Sequence, residues 1–454
     1  MNLDGLAAAL EPVEVLGSRE IEVRDLAYDA RAVSPGTLFF CVPGTRADGH
    51  DFAADAVAGG AVALVVEREL DLAVPQIVVA DARSAMAAAA DIFFGEPSVE
   101  LEIAGVTGTS GKTTTTFLLF AILAAAGRRP GLLGTIEARV GGERRGVVRT
   151  TPEAIDLQRT FREMLDAGDR TCAMEASSHA SVLHRLDHVR FRVLVFTNLS
   201  QDHLDFHGDM ETYFQAKRRL FFAEPRPLAI LNAGDAYGRR LAEELPDAIT
   251  FDASDAAALA GIDLKLRGRF NVENALGAAL AARALGCDDD AIRRGLESVR
   301  GVPGRFESVD AGQPFHVIVD NAHKPDALEN VLRAARELAD GNRVIVVVGA
   351  GGDRDRGKRP LMGKLAAELA DVAIVTSDNP RSEDPEEIVA EIVAGAVGPV
   401  EVALDRAAAI ARAVELAASG DVVLIAGKGA EQGQEFADRT VPFDDREAAK
   451  EALA

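Results

Sequence analysis

Residues 107–116 read Thr-Gly-Thr-Ser-Gly-Lys-Thr-Thr-Thr-Thr and directly follow the apolar run Ile103-Ala104-Gly105-Val106. A short buried strand, a glycine turn and a helix start (Phe117, Leu118, Leu119, Ile122, Leu123) make a phosphate cradle. Loop amides and the positive end of the helix dipole face the anion, so Gly108, Thr109, Ser110, Gly111, Lys112, Thr113 and Thr114 are candidates to hold a nucleoside triphosphate. Lys112 reaches the terminal phosphates and Thr113 can hold Mg²⁺. The strict pattern wants glycine six residues before Lys112, where Val106 stands, so this is a relaxed P-loop.

Two further clusters follow apolar runs. Glu175 ends Thr171–Met174 and precedes Ser177-Ser178-His179; an acidic residue at a strand's carboxyl end can hold the Mg²⁺ that bridges nucleotide phosphates. Val193–Phe196 leads into Thr197–Gly208, which packs Asp202, His203, Asp205 and His207 into six positions. Imidazole and carboxylate together suit a divalent metal with open positions. Lys217, in Ala216-Lys217-Arg218-Arg219, reads by composition alone as a solvated helix residue.

The elements that must position these groups alternate along the chain. A first block, 1–98, carries strand-like Thr37–Val42, Ala61–Val66 and Gln76–Val79 between Ala-rich helices. Pro97-Ser98-Val99 reads as a linker into a second block, 99–303, with strands at 101–106, 171–174, 193–197 and 228–231. Gly301-Val302-Pro303-Gly304 marks the break before a third, 304–454, with strands at 317–319, 344–348, 372–375 and 422–426 and a helix through Asp326–Leu338. Apolar runs of this length separated by helices indicate parallel sheets covered on both faces. The expected fold is α/β in three domains, the middle one a P-loop ATPase.

With 454 residues the chain exceeds one core, and 48% hydrophobic content supports packed interiors. A net charge of −23 argues against nucleic acid or an anionic membrane surface as partner. Cys41, Cys172 and Cys287 form neither a disulfide framework nor a CxxC metal pair, which fits a reducing compartment. Met1–Val15 lacks a basic n-region and no apolar run reaches membrane-span length, so a cytoplasmic protein is expected, with no membrane insertion.

These motifs together resemble the Mur ligases, and among them the members that add the third residue of the peptidoglycan stem peptide. The match comprises 108–114, Glu175–Ala180, Thr197–Gly208 and Phe270-Asn271-Val272-Glu273-Asn274-Ala275. It continues through Gly304-Arg305-Phe306-Glu307, Gly352-Asp353-Arg354-Asp355, Lys358-Arg359-Pro360, Asp378-Asn379-Pro380-Arg381 and Phe443-Asp444-Asp445-Arg446-Glu447. Asp29-Ala30-Arg31, Pro35–Phe39 and Asp48-Gly49-His50 extend it into the first block.

The resemblance implies an ATP- and Mg²⁺-dependent amide ligase whose domains bind the UDP-substrate (1–98), ATP (99–303) and, in a Rossmann-like fold, the amino acid (304–454). A carboxylate is activated as an acyl phosphate and attacked by an amine. It implies Lys112, His203 and Lys217 as catalytic residues, with Asn274, Arg305 and Asp320 joining loop 108–114 on ATP. Metal contacts fall to Thr113, Glu175, His203 and Lys217, the last as its CO₂-derived carbamate (N6-carboxylysine). UDP-substrate contacts fall to Ala30, Thr150, Thr151, Ser177 and Arg185. Asp378, Asn379, Pro380 and Arg381, with Arg354, Gly427 and Glu431, imply meso-diaminopimelate as acceptor, Arg381 pairing with its distal carboxylate. UDP-MurNAc-L-Ala-D-Glu is the implied donor, and a monomer is expected.

The sequence departs from the family pattern in places. Ala30 stands where serine is usual, Leu183 where glutamine is, Asn321 and Lys324 where tyrosine and threonine are, and Ala430 where histidine is. A paralogue joining a different amino acid and carboxylate donor is therefore one alternative, and a P-loop ATPase switch is another of a different class. Against the switch, no run of four apolar residues ends in the Asp-Glu pair common in such ATPases.

Overall fold

The computed structural model describes residues 1–44 and 47–454. It divides into two compact units, Met1–Thr107 with Gly127–Leu194 and Ala216–Leu228, and Gly108–Ala126 with Val195–Gln215 and Ala229–Ala454.

In the first unit, Ala61–Val66 is a nearly unbroken apolar run, five of its six residues buried, and it lies inside a five-stranded sheet. The order is Glu14–Leu16, Gln76–Val78, Ala61–Val66, Thr37–Phe40, Asp25–Ala27, parallel except for the first pair. One face packs on the helices Leu3–Ala9 and Ala82–Phe93. The latter starts cleanly because the Asp81 side chain accepts from the amides of Arg83 and Ser84. A second group of strands in this unit sets Glu102–Thr107 parallel to Thr171–Glu175, and that parallel to Pro130–Leu133. Antiparallel Ala138–Val140 and Glu143–Arg145 complete it. Three of these features differ from the all-parallel expectation: Glu14–Leu16, the 138–145 hairpin and, in the second unit, Glu307–Ser308 pair antiparallel. They are short edge pieces, and Glu143–Arg145 is wholly exposed, so no apolar run announces them.

Pro97-Ser98-Val99, expected as a linker, lies in a single helical turn, Pro97–Glu100. Pro97 at the first helical position presets φ, and Ser98 Oγ accepts from Arg190 N at 3.2 Å and donates to His188 O at 3.3 Å.

In the second unit the six-stranded sheet runs Glu307–Ser308, His316–Asp320, Val422–Ala426, Val344–Val348, Val372–Val375, Glu401–Val402. All pairs after the first are parallel. The Val344–Val348 strand, Val-Ile-Val-Val-Val, is fully buried at its middle. Helices Pro325–Ala339, Lys358–Leu369 and Pro385–Gly395 cover one face, and Arg406–Leu416 with Asp445–Leu453 the other. Helix Lys112–Ala125 packs on Arg269–Ala284 and on Asp289–Ser298 so closely that a Cβ on Gly295 would lie 2.4 Å from Ile122 Cα.

One ion pair anchors the second face of that sheet. Arg406 Nε and Nη2 donate to the Asp445 carboxylate at 2.6 and 2.7 Å, and Nη2 also reaches Ala426 O at 3.1 Å, with neither side chain exposed. Asp445→Ala strands a buried guanidinium and should lower stability by about 3–5 kcal/mol in urea unfolding. A loss below about 1 kcal/mol, the range of a surface pair, would contradict this account.

Candidate functional site

Loop 108–111 requires its glycines. Gly108 and Gly111 have φ of +143° and +84°, and an added Cβ would fall 1.9 Å from Thr197 Oγ1 and 2.3 Å from Asn274 Oδ1 respectively. The loop is held from the side by the next strand's end. Thr109 N and Ser110 N donate to Asn198 O and Oδ1 at 2.8 and 2.9 Å, and Thr197 Oγ1 donates to Ser110 O at 2.7 Å. Lys112 Nζ folds over the loop onto Gly108 O and Thr109 O at 3.0 and 2.8 Å. The helix starts at Lys112 without a side-chain cap, which leaves its first-turn amides directed at the loop; Thr113 and Thr114 are buried on that turn.

Three residues distant in sequence converge here. Arg305 Nη2 donates to Thr113 Oγ1 at 3.2 Å, and Asn274 Oδ1 accepts from Thr115 Oγ1 at 3.3 Å. Asp320 ends a parallel strand, and its Oδ2 accepts from Phe306 N at 2.6 Å. Burial raises its carboxyl to about 6 although Arg305 opposes the shift.

Asp202, His203, Asp205 and His207, whose residue types suit a divalent metal, are not gathered into one cage. Among the described residues no three His, Cys, Asp or Glu side chains gather as a metal cage. His203 takes a left-handed conformation (φ +54°), and its ring lies edge-on to Tyr213 with centroids 6.1 Å apart. The His207 ring stacks on Tyr213 with centroids 4.8 Å apart. Asp205 lines an open cavity with Gln201, Leu204, Asp353, Arg354 and Asp355. Asp202 Oδ2 lies 2.7 Å from both His203 Nε2 and Lys324 Nζ.

In the sequence Lys324 stands out only as a departure from the family pattern; in the fold it is a buried cation against a buried carboxylate. Burial alone would raise the Asp202 carboxyl, but Lys324, with His203 and His323, holds it well below the usual range. Burial lowers His203 despite Asp202, with Lys324 and Lys112 adding to the shift. His323 is pushed down to about 3, chiefly by burial and then by Lys324 and Lys358. Lys324, Lys358 and Lys112 thus place positive charge around the Asp202–His203 pair beside the phosphate loop, which suits an anionic ligand.

The acceptor motif also converges within this unit. Asn379 Nδ2 donates to Glu431 Oε2 at 2.8 Å. Arg381 sits at φ +52°, with Nε 3.0 Å from Glu435 Oε2 and Nη1 donating to Gly352 O at 2.8 Å. Gly427 allows the Asp378 carboxylate close, since a Cβ would lie 2.6 Å from Oδ2. Pro380 O packs so near Gly352 that a Cβ there would lie 1.9 Å away.

In the first unit Glu175, buried at the end of its strand, accepts from Thr135 N at 2.7 Å and Thr135 Oγ1 at 3.1 Å. Thr150 Oγ1 lies 3.1 Å from Thr135 Oγ1. Thr151 Oγ1 donates to Glu175 O (2.9 Å) and contacts Ser177 Oγ (3.2 Å), while Arg185 Nη1 donates to Thr151 O (3.3 Å). Thr150, Thr151, Glu175, Ser177 and Arg185 thus form one polar cluster. Ala30 lies in the turn Ala30–Ala32, packed on the small core around Phe39 and Ala53. Lys217, in the helix Met210–Arg218, is 1% exposed and not a solvated residue. Of the expected metal set, Thr113 and His203 belong to the second unit and Glu175 and Lys217 to the first.

A strand–glycine loop–helix site beside a cation-rich pocket and an Asp-Asn-Pro-Arg turn defines a class, and comparison with known proteins gives the same class. Residues 22–105 match the Mur ligase family catalytic domain, 106–261 the Mur ligase middle domain, and 304–429 the Mur ligase glutamate ligase domain. The chain belongs to the Mur ligase family. It is 47% identical over 96% of its length, and 94% of the relative's, to the UDP-N-acetylmuramoyl-L-alanyl-D-glutamate–2,6-diaminopimelate ligase of Solibacter usitatus. To the ligase of the same name from Geobacillus thermodenitrificans it is 45% identical over 100% of its own length and 99% of the relative's. A solved structure of a ligase of that name superposes with a TM-score of 0.68 at 31% identity, covering 100% of this chain and 98% of the other.

Two outcomes follow from the charge cluster. Lys324→Met leaves Asp202 buried without its ion-pair partner and should lower stability by about 3–5 kcal/mol in urea unfolding, part of which Asp202→Asn in the double variant restores. For Asp320, the folded carboxyl at about 6 lies above its ordinary 3.8, so ionisation opposes folding. Relative to Asp320→Asn, wild-type stability should fall as pH rises from about 3.8 to about 6 and level off above. A flat difference across that window would refute the assignment.

Proposed function

We propose that this chain is the ligase that joins meso-diaminopimelate to UDP-MurNAc-L-Ala-D-Glu at the expense of ATP, acting in the cytoplasm as a monomer. The observation that carries this reading is the intact Asp378-Asn379-Pro380-Arg381 turn beside Glu431, in a chain 47% identical to a 2,6-diaminopimelate ligase. A second donor is not favoured by any contact: Thr150, Thr151, Ser177 and Arg185 keep a continuous polar cluster although Ala30 and Leu183 are altered.

In this reading a donor carboxylate oxygen bonds to the γ-phosphorus of ATP as the β–γ bridge breaks, giving an acyl phosphate and ADP. The acceptor's amine then bonds to the acyl carbon, phosphate departs with the acyl oxygen, and the ammonium gives up its proton. Both anions of the first step repel, so cationic groups must converge on them. The amides of 108–114 take the phosphates, and Lys112 exchanges its hold on Gly108 O and Thr109 O for a phosphate oxygen. Asn274 braces the loop from the side, and Arg305 adds charge at Thr113. Asp320 offers an acceptor to a nucleotide hydroxyl.

By the family resemblance Thr113, Glu175, His203 and the carbamate of Lys217 would serve the magnesium sites, and the hydroxyl and carboxylate oxygens among them are the donors that suit that hard cation. Bound Mg²⁺ supplies screening between carboxylate and triphosphate. A lysine 1% exposed suits the carbamate, since an exposed one would exchange with water and gain no fixed geometry. Arg381 takes the acceptor's distal carboxylate, and Glu431 an ammonium.

Phosphate release should require both UDP-dipeptide and diaminopimelate; vigorous release with neither would refute a ligase. Lys217→Ala should nearly abolish ligation, with partial return on adding short carboxylates, and normal activity in that variant would remove the lysine from the mechanism. Arg381→Ala should weaken diaminopimelate use by about 2–5 kcal/mol in kcat/KM while changing KM for ATP little. A wild-type preference for L-lysine in direct competition would overturn the acceptor while leaving the chemistry standing.

A further inference from the structure

Lys428 is fully buried at the base of the acceptor turn. Its Nζ donates to Asn379 Oδ1 at 2.7 Å and to Glu431 Oε2 at 3.3 Å, and lies 3.7 Å from Asp378 Oδ1. Asn379 Oδ1 also accepts from Glu435 N at 3.0 Å. Two donors on one side of the amide oblige it to present its Nδ2 to the other side, where it meets Glu431 Oε2 at 2.8 Å. Glu431 is therefore gripped twice through Oε2 by groups behind it, while its side chain remains 49% exposed. The backbone supports this arrangement. Gly427 (φ +126°) and Gly429 (φ +57°) flank Lys428, and Glu431 N donates to Lys428 O at 3.1 Å.

The charges also matter. Lys428 faces two carboxylates, Asp378 and Glu431; Arg406 also acts on them but is itself paired with Asp445, so the pocket floor carries a net negative charge. Glu431 Oε1 is the open acceptor of a half-exposed carboxylate that Asn379, two positions before Arg381, holds through its other oxygen. An ammonium and a carboxylate on one carbon are the matching ligand.

We propose that Lys428 is the positioning residue for acceptor specificity: by fixing the Asn379 amide and one oxygen of Glu431 it aims the other oxygen at the amino group on the acceptor's distal carbon. This rests on the diaminopimelate reading above. Lys428 does not touch the reacting amine, so its loss changes which acceptor is chosen more than how fast the acyl phosphate forms.

The test compares two acceptors on the whole enzyme, meso-diaminopimelate and 2-aminopimelate, which keeps the distal carboxylate and lacks the distal amine. Wild type should favour diaminopimelate, and Lys428→Met should reduce the ratio of their kcat/KM values by about tenfold or more, through KM for diaminopimelate, with KM for ATP little changed. A loss of packing alone would depress both acceptors together and leave the ratio intact. An unchanged ratio in a folded variant overturns the proposal. Lys428→Gln, which keeps a neutral donor, carries the same comparison if the Met variant does not fold, and failure of both to fold would assign the lysine to structure and overturn the proposal as well. Wild type that uses neither acceptor would instead refute the diaminopimelate reading, a result separate from the ratio.

Discussion

A buried carboxylate beside the phosphate loop sets the terms for the second unit's site. Asp202 is held 2.7 Å from Lys324 with both side chains largely out of water, and Lys324 stands directly before Pro325 at the start of a helix from the carboxy-terminal sheet. Taking two charges out of water is costly unless each has the other. That cost fixes where the loop after Val195–Phe196 can lie relative to the strand end at Asp320. The neighbouring contacts agree with it: Ser200 Oγ donates to Asp326, Gln201 Nε2 to Asp355 at 3.1 Å, and Arg305 to Thr113. Together they bring carboxy-terminal residues to the rim of loop 108–111.

The same fold rule supplies the acceptor end. Asp320, Asp378 and Gly427 all stand at or just beyond the carboxyl ends of parallel strands, where an open α/β sheet leaves its crevice. The turns there are tight enough to need unusual backbone. Arg381 and Asp353 take positive φ without being glycine, and Gly352 N donates to Asn379 O at 2.9 Å to tie the two turns. Strain of this kind persists only where surroundings over-determine it. At Arg381 the surroundings are the Arg381 N to Glu435 O hydrogen bond at 3.0 Å and the pair with the Glu435 side chain.

The sequence carried the parts of this architecture that are local. A strand such as Val344–Val348 is legible because five apolar β-formers in a row have one use in an α/β sheet, and loop 108–114 because glycines and lysine at fixed spacing have one geometry. What stayed hidden depends on pairing across long stretches of chain. Lys324 and Lys428 look like surface lysines until Asp202 and Asn379, 122 and 49 positions away, are seen beside them. Lys217 shows the same failure, since burial of a helix lysine leaves no mark on its neighbours in sequence. The cluster Asp202–His207 misled in the opposite direction: close spacing in sequence suggested one metal cage, yet Asp202 is taken up by Lys324, the His207 ring by Tyr213, and Asp205 lines an open cavity.

Motif residues can also serve the fold and not the chemistry. Asp445 lies in Phe443–Glu447, among the motifs that mark the family resemblance, yet its carboxylate is consumed by Arg406, fully buried beneath the strand end that leads to Gly427. Arg406 Nη2 reaches Ala426 O, so the pair holds the last residue of the Val422–Ala426 strand, and Gly427 N then donates to Asp320 O at 3.0 Å. A side chain that no substrate touches thereby fixes the backbone between Asp320 and Lys428. Substituting such a residue would reduce activity without any loss of a ligand contact, and the two effects separate only when stability and KM are measured on the same variant.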